Sequence, residues 1–245
     1  MEGQEIFGVR AILECIEAGQ HIEKVWLLKG QKSPLFKTLE NRLREAAVAH
    51  SYVPKERLDR FNTKNHQGAV ALISPIAFYD LEPLIEKSLG QHRPPLFLLL
   101  DQITDTRNLG AILRNASACG VDALILPQSG SARITADTIK TSAGAAFTVP
   151  IVKVEHLKDA VFLLEASEIQ CMALTEKATQ TVYEHEMNRP MALILGSEEK
   201  GISKSLLNMV KLQAKLPMIG DIASLNVAVA CGAILYEVIR QRNFQ

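Results

Sequence analysis

The sequence predicts an α/β protein in two parts, a mostly parallel sheet with helices on both faces preceded by a smaller α/β module. Three observations carry this reading. Apolar runs such as LFLLLD, ALILP and MALILG are continuous rather than alternating, as strands buried on both faces require. From residue 96 onward these runs alternate with helical stretches, the order a parallel sheet needs because each crossover must return over a face. Between the two parts, IAFYDLEPLIEKSLGQHRPP lacks strand alternation and ends in adjacent prolines, which suits a connecting helix and linker.

In chain order, IFGVRAILECIEA at 6–18 spaces its apolar residues as a helix does, and EKVWLLKG at 23–30 reads as a short buried strand ending at Gly30. PLFKTLENRLREAAVAH is a second amphipathic helix, and GAVALIS at 68–74 closes the module as another strand. The first domain is therefore expected over residues 1–75, the linker over 76–95 and the second domain over 96–245. Strands of the second domain are expected at 96–101, 123–127, 147–154, 169–175, 191–196 and 210–218.

Composition narrows the function. With 47% hydrophobic residues, the chain can bury a core, and its 27 basic and 27 acidic residues cancel, so no global field draws it to nucleic acid or an anionic membrane. A polyanionic partner would have to be held by a local patch. Cys15, Cys119, Cys171 and Cys231 lie in apolar stretches without CxxC spacing, which points to a reducing compartment and no structural zinc. MEGQEIFGVR lacks the pattern of a signal peptide, and no apolar run reaches the ~18 residues of a membrane span, so a cytoplasmic protein without metal or membrane is expected.

Ligands of parallel sheets bind beyond the carboxyl ends of strands, and three such ends carry unusual polar residues. In LLLDQITDTRNLGAILRNASACG, Asn108 opens a helix that carries Arg114 among small apolar residues, a setting that suits a phosphate or carboxylate. An Asn cap and a solvent-facing Arg would account for the same pattern. LILGSEEKGIS stops a buried strand at Gly196 and turns through Ser197 and Glu198. It lacks the Lys-Ser/Thr of a phosphate loop, and no GxGxxG follows a strand, so neither a nucleoside triphosphate nor a dinucleotide is indicated. In AKLPMIGDIASLNVAVACGA, Ser224 starts a helix whose Ala228, Ala230, Gly232 and Ala233 permit very close packing by a helix or subunit.

Taken together, NLGAILRNA, ILGSEEKGIS and LPMIGDIASLNVAVA resemble, in order and spacing, the three signature motifs of the SpoU (TrmH-like) branch of the SPOUT RNA 2′-O-ribose methyltransferases. The match spans about residues 96–242, and the N-terminal module ending in NHQGAVALIS looks like the L30e-like substrate-binding domain that precedes many of these enzymes. The resemblance is nearest to the bacterial 23S rRNA guanosine 2′-O-methyltransferase type. It implies a SPOUT α/β-knot fold with a C-terminal deep trefoil knot, a homodimer, and S-adenosylmethionine held mainly by backbone groups at Gly196, Leu216 and Leu225, with Thr175, Ser197 and Met218 as neighbours. It assigns the catalytic role to Asn108, Arg114, Glu198, Ser224 and Asn226. Arg114 would grip the phosphate beside the target ribose and stabilise the emerging alkoxide, because a guanidinium keeps its proton and makes a poor base. RNA capture is left to local patches, since residues 1–75 hold 11 Lys and Arg against 9 Asp and Glu. KTLENRLREAAVAH and the NTKNHQG loop are the candidates. A tRNA methyltransferase and a non-catalytic RNA-binding assembly factor on the same fold are the alternatives.

Overall fold

A computed structural model of the chain describes residues 4–17, 20–61, 66–74, 76–222 and 224–244. The chain divides into two compact units, residues 1–77 with 134–136, and residues 78–133 with 137–245. Among the described residues, no helix is long and apolar enough to cross a membrane.

In the first unit, β1 (Gln4–Phe7), α1 (Val9–Glu17), β2 (Ile22–Leu28), α2 (Pro34–Glu45), β3 (His50–Val53), α3 (Lys55–Leu58) and β4 (Ala69–Ile73) follow in order. The sheet order is β1-β4-β2-β3, with β4 antiparallel to both neighbours and β2 parallel to β3. Alternate residues of β2 and β4 face opposite ways. Val25, Leu27, Ala69 and Ala71 pack with Ile12 of α1 and Phe36, Leu39 and Leu43 of α2, while Trp26 and Val70 pack with Val53 and Leu58 on the other face. Pro34 sits at the start of α2, where its missing N–H costs nothing, and Ser33 caps the helix by accepting from the Phe36 N–H.

The second unit begins with α4 (Leu81–Leu89), inside the segment expected to connect the two parts, and Leu81, Leu84 and Ile85 of that helix lie in the unit's core. Its other elements are β5 (Leu96–Asp101), α5 (Thr106–Ala118), β6 (Ala123–Pro127), α6 (Ala136–Thr141), β7 (Ile151–Val154), α7 (Leu157–Ala166), β8 (Gln170–Leu174), β9 (Met191–Gly196), α8 (Lys204–Leu207), β10 (Leu212–Ala214) and α9 (Val227–Asn243). The six strands are all parallel, in the order β10-β8-β9-β5-β6-β7. Phe97, Leu99, Ile125, Ala173 and Ile194 meet α4 and α7 on one face, and the intervening Leu98, Leu100, Leu193 and Leu195 are buried on the other. This two-sided burial is the physical origin of the continuous apolar runs.

Two expected strands are shorter than read. The run at 147–154 starts as a strand only at Ile151, after a 3-10 turn and Pro150, which has no N–H to give a neighbour. The run at 210–218 is strand only over 212–214, so Leu216, Pro217 and Met218 lie in the loop beyond it.

Candidate active site

The site grows from three strand ends. β5 ends at Asp101, a buried carboxylate that accepts the Ser203 N–H at 2.7 Å. The next residue, Gln102, is held at φ +59°, rare for a side-chain-bearing residue, and donates through Nε2 to the Gly201 carbonyl at 3.2 Å. The loops after β5 and β9 are thereby tied together. Asp105 then caps α5, accepting from the N–H groups of Arg107 at 2.7 Å and Asn108 at 3.2 Å. Asn108 therefore does not open the helix, as the sequence suggested, but sits in its first turn, because the carboxylate three residues earlier takes the free N–H groups.

At the end of β9, Gly196 has no room for a side chain. A Cβ built there would lie 2.1 Å from the Gly201 carbonyl carbon and 2.2 Å from the Ile202 nitrogen, so the returning chain crosses directly over it. Ser197 anchors the return, accepting the Gly201 N–H at its carbonyl (2.8 Å) and the Lys200 N–H at its hydroxyl (3.0 Å). Gly201 takes φ +66°, the left-handed turn this reversal needs.

The helix after the third end is capped by Asn226, not started by Ser224. Asn226 Oδ1 accepts the N–H groups of Ala228 at 3.0 Å and Val229 at 3.3 Å, while Ser224 lies exposed two residues before the cap. Both residue types make good caps, and the helix begins where the side chain reaches its N2 and N3 donors. The amide of Asn226 serves a second purpose. Its Nδ2 donates to Glu198 Oε1 at 2.6 Å and to Asn108 Oδ1 at 3.0 Å. Asn108 Nδ2 and the Val227 N–H also donate to Glu198 Oε1, at 3.2 and 3.3 Å. One carboxylate oxygen thus gathers donors from the first turn of α5, the cap of α9 and the backbone that opens α9. The two helix starts both favour negative charge there. Glu198 Oε2 takes no hydrogen bond among the described residues.

Beside this clasp is a cavity of about 330 Å³, within the usual size of a small-molecule site. Thr175, Gly196, Ser197, Glu198, Leu216, Met218, Ser224 and Leu225 all line it. The N–H groups of Leu216, Met218 and Leu225 make no hydrogen bond among the described residues, which leaves backbone donors open to a ligand. Glu198 and Glu199 supply carboxylates, while Lys200 and Lys215 supply cations. That mixture fits a zwitterionic ligand such as S-adenosylmethionine, which carries a carboxylate, an ammonium and a sulfonium. A thiolate is not among the available groups. Burial pushes the Cys171 thiol up to about 12 and raises those of Cys119 and Cys231 as well.

Arg114 is not brought to the cavity. It is exposed on α5 and has no hydrogen bond or ion pair among the described residues. Its neighbour Asn115 turns inward and donates to the Ala228 carbonyl at 2.8 Å, and a Cβ on Gly232 would sit 3.2 Å from Asn115 Nδ2. Two of the small residues of α9 are therefore used within the chain, against α5. Sequence reasoning gave no role to Asp105 or Asn115. Asp105 was findable, since an Asp three residues before Asn108 is a ready cap, but nothing local marks Asn115.

The fold has solved counterparts. The SpoU methyltransferase AviRb from Streptomyces viridochromogenes, in complex with AdoMet, is 25% identical with a TM-score of 0.62, covering 97% of this chain and 90% of its own. The A. aeolicus TrmH/SpoU tRNA modifying enzyme is 29% identical with a TM-score of 0.57, covering 66% of this chain and 81% of its own. With the family matches over both units, this likeness defines the class, an S-adenosylmethionine-dependent RNA 2′-O-ribose methyltransferase. The SpoU rRNA Methylase family matches residues 95–236, and RNA 2′-O ribose methyltransferase substrate binding matches residues 6–79. The 23S rRNA (guanosine-2′-O-)-methyltransferase RlmB of Vibrio cholerae is 34% identical, covering 99% of this chain and 98% of its own. The chain belongs to the SpoU rRNA methylase family.

Proposed function

We propose that this enzyme methylates the ribose 2′-hydroxyl of a guanosine in 23S rRNA, in the cytoplasm and as a homodimer. The observation that carries the choice of RNA is coverage. The relatives named for 23S rRNA guanosine are up to 34% identical across nearly the whole chain, first unit included; relatives named more broadly as tRNA/rRNA methyltransferases match the same length at 30–32%, and the tRNA modifying enzyme covers 66% of it. In this division of labour, residues 1–75 hold RNA, 76–95 connect, and 96–245 carry the chemistry.

S-adenosylmethionine, when bound, supplies an electrophilic methyl group on sulfur. Gly196, Leu216 and Leu225, with Thr175, Ser197 and Met218, hold it through backbone groups and cavity shape. Asn108, Glu198 and Asn226 fix the mouth of the cavity, and Glu198 Oε2 is left to accept a hydrogen bond from the nucleotide. Ser224 lies at the cavity wall, where its hydroxyl orients the ligand. Arg114 grips the phosphate beside the target ribose and stabilises the negative charge on the 2′-oxygen as its proton passes to solvent and the methyl would move from sulfur to that oxygen, leaving the thioether. Its exposed, unpaired state within one chain supports a role toward RNA or a second subunit. Ile219, Ile222, Leu225, Val229 and Tyr236 are exposed apolar residues around the start and outer stripe of α9, and a covering subunit accounts for them.

Mapping ribose methylation across rRNA and tRNA in cells with and without the gene tests the choice. Loss of a single 2′-O-methylguanosine in 23S rRNA is expected. Loss confined to tRNA would move the substrate to the other reading.

A further inference from the structure

The first unit is nearly neutral by count, but its topology separates the charges. β1, β2 and β3 all end on the same edge of their sheet, where β4 begins. There the Gly8 N–H donates to the Ala69 carbonyl, the Leu28 N–H to the Gly68 carbonyl and the Lys29 N–H to the Val53 carbonyl. Because each of those strands is followed by a helix, α1, α2 and α3 also start at this edge. The residues in these loops and helix starts include Arg10, Lys29, Lys32, Lys55, Arg57 and Arg60, all exposed. None of the six has an ion pair or hydrogen-bonded side-chain partner among the described residues. The carboxylates nearby are Glu56 and Asp59, and Asp59 is engaged by His66 Nε2 at 2.9 Å. At the opposite edge Glu5, Glu17, Glu23 and Glu45 lie with Lys24, Arg42 and Arg44, so the cations there are outnumbered and interspersed with carboxylates.

The helix face expected from sequence to meet RNA is a poorer candidate. On α2, Arg42 pairs with Glu45 at 3.3 Å, Arg44 donates to Asn41 at 3.3 Å, and Glu40 accepts from the Tyr52 hydroxyl at 2.6 Å. Its charges are largely satisfied by their own neighbours. Of the NTKNHQG loop, residues 62–65 lie outside the described residues.

We propose that the strand-end edge carrying Arg10, Lys29, Lys32, Lys55, Arg57 and Arg60 is the surface on which the first unit receives the phosphate backbone of RNA. The cations are spread over several loops instead of lining one pocket, as a run of phosphates requires and a single small anion does not. The starts of α1 and α2 add partial positive charge at the same edge. Gly30, at φ +84° with open space where a Cβ would be, lets a backbone strand approach the turn closely. Phosphate contacts of this kind position the nucleic acid without reading its sequence. The choice of nucleotide then falls to the second unit.

This surface rests on the RNA-modifying reading above, and the test separates the two. Full-length protein and its Lys29→Gln/Lys32→Gln/Lys55→Gln/Arg57→Gln variant are titrated with in-vitro-transcribed 23S rRNA over a range of salt concentrations. Circular dichroism and S-adenosylmethionine titration report on the fold of each unit. The variant is expected to bind RNA at least about 10-fold more weakly, with the slope of log K against log[salt] reduced by about 0.9 for each phosphate no longer neutralised. Wild-type affinity and slope in that variant overturn the surface and leave the function standing. So does an Arg42→Gln/Arg44→Gln variant that takes the loss instead. A wild type that binds S-adenosylmethionine but no RNA at the lowest salt overturns both.

Discussion

At Asn226 the carbonyl and the amide of one side chain serve different elements, and substitution can separate them. Aspartate keeps an oxygen for the Ala228 and Val229 N–H groups but removes both donors and sets a second carboxylate against Glu198. Asn226→Asp should therefore keep α9 folded, while methyl transfer falls by about 10-fold or more, the scale of a lost hydrogen bond to a charged group. Urea unfolding and turnover measured side by side check this, and unimpaired turnover would remove the clasp from the mechanism. Gly196 makes a different kind of claim, about space. The atoms a Cβ would strike belong to the backbone of Gly201 and Ile202 and cannot rotate away. Gly196→Ala is expected to cost about 3 kcal/mol of stability, at the upper end for overpacking, and to abolish cofactor binding. A variant with the wild-type unfolding midpoint would mean that the returning chain is free to move.

Among the elements, those buried on both faces were the most legible. The strands at 96–101, 123–127 and 191–196 occupy the expected residues, because continuous apolar sequence is what double burial demands. The edge strands β1 and β3, four residues each, were hidden inside or between helical patterns, since so short a strand has no period of its own. Helix starts were misplaced by two or three residues wherever several capping residues lie close together, as with Asp105 and Asn108 or Ser224 and Asn226. Local sequence permits either; the reach of the side chain to the N–H groups decides. At the far end of α9, Glu237 is buried and takes hydrogen bonds from Arg240 and Gln241, and the Arg240 bond holds its carboxyl below the ordinary value of 4.5. A lowered carboxyl contributes stability that is complete above the unfolded value and fades as the pH falls through the folded one. Glu237→Gln should thus flatten the loss of stability on acidification below about pH 4.5, a change that unfolding midpoints across that window will show. An unchanged acid profile would place the titrating group elsewhere.

On the scale of the whole molecule, the site joins residues too distant in sequence for local reading. The hydrogen bonds of the clasp span separations of 28, 90 and 118 residues. What marked those residues beforehand was the resemblance of three motifs, and Arg114 still owes its assigned role to it. The charge distribution of the first unit is likewise invisible to a count of its residues, because topology decides which loops share an end of the sheet. The chemistry proposed is methyl transfer to a ribose hydroxyl by Arg114 together with a cavity held by Asn108, Glu198 and Asn226. Its most direct test is transfer of labelled methyl from S-adenosylmethionine to a 23S rRNA transcript by wild type and Arg114→Ala, followed by digestion to nucleosides. Label in 2′-O-methylguanosine is expected with wild type, and a loss of about 100-fold or more in the variant with cofactor binding retained. Label on a base, or wild-type turnover by Arg114→Ala, would refute that chemistry.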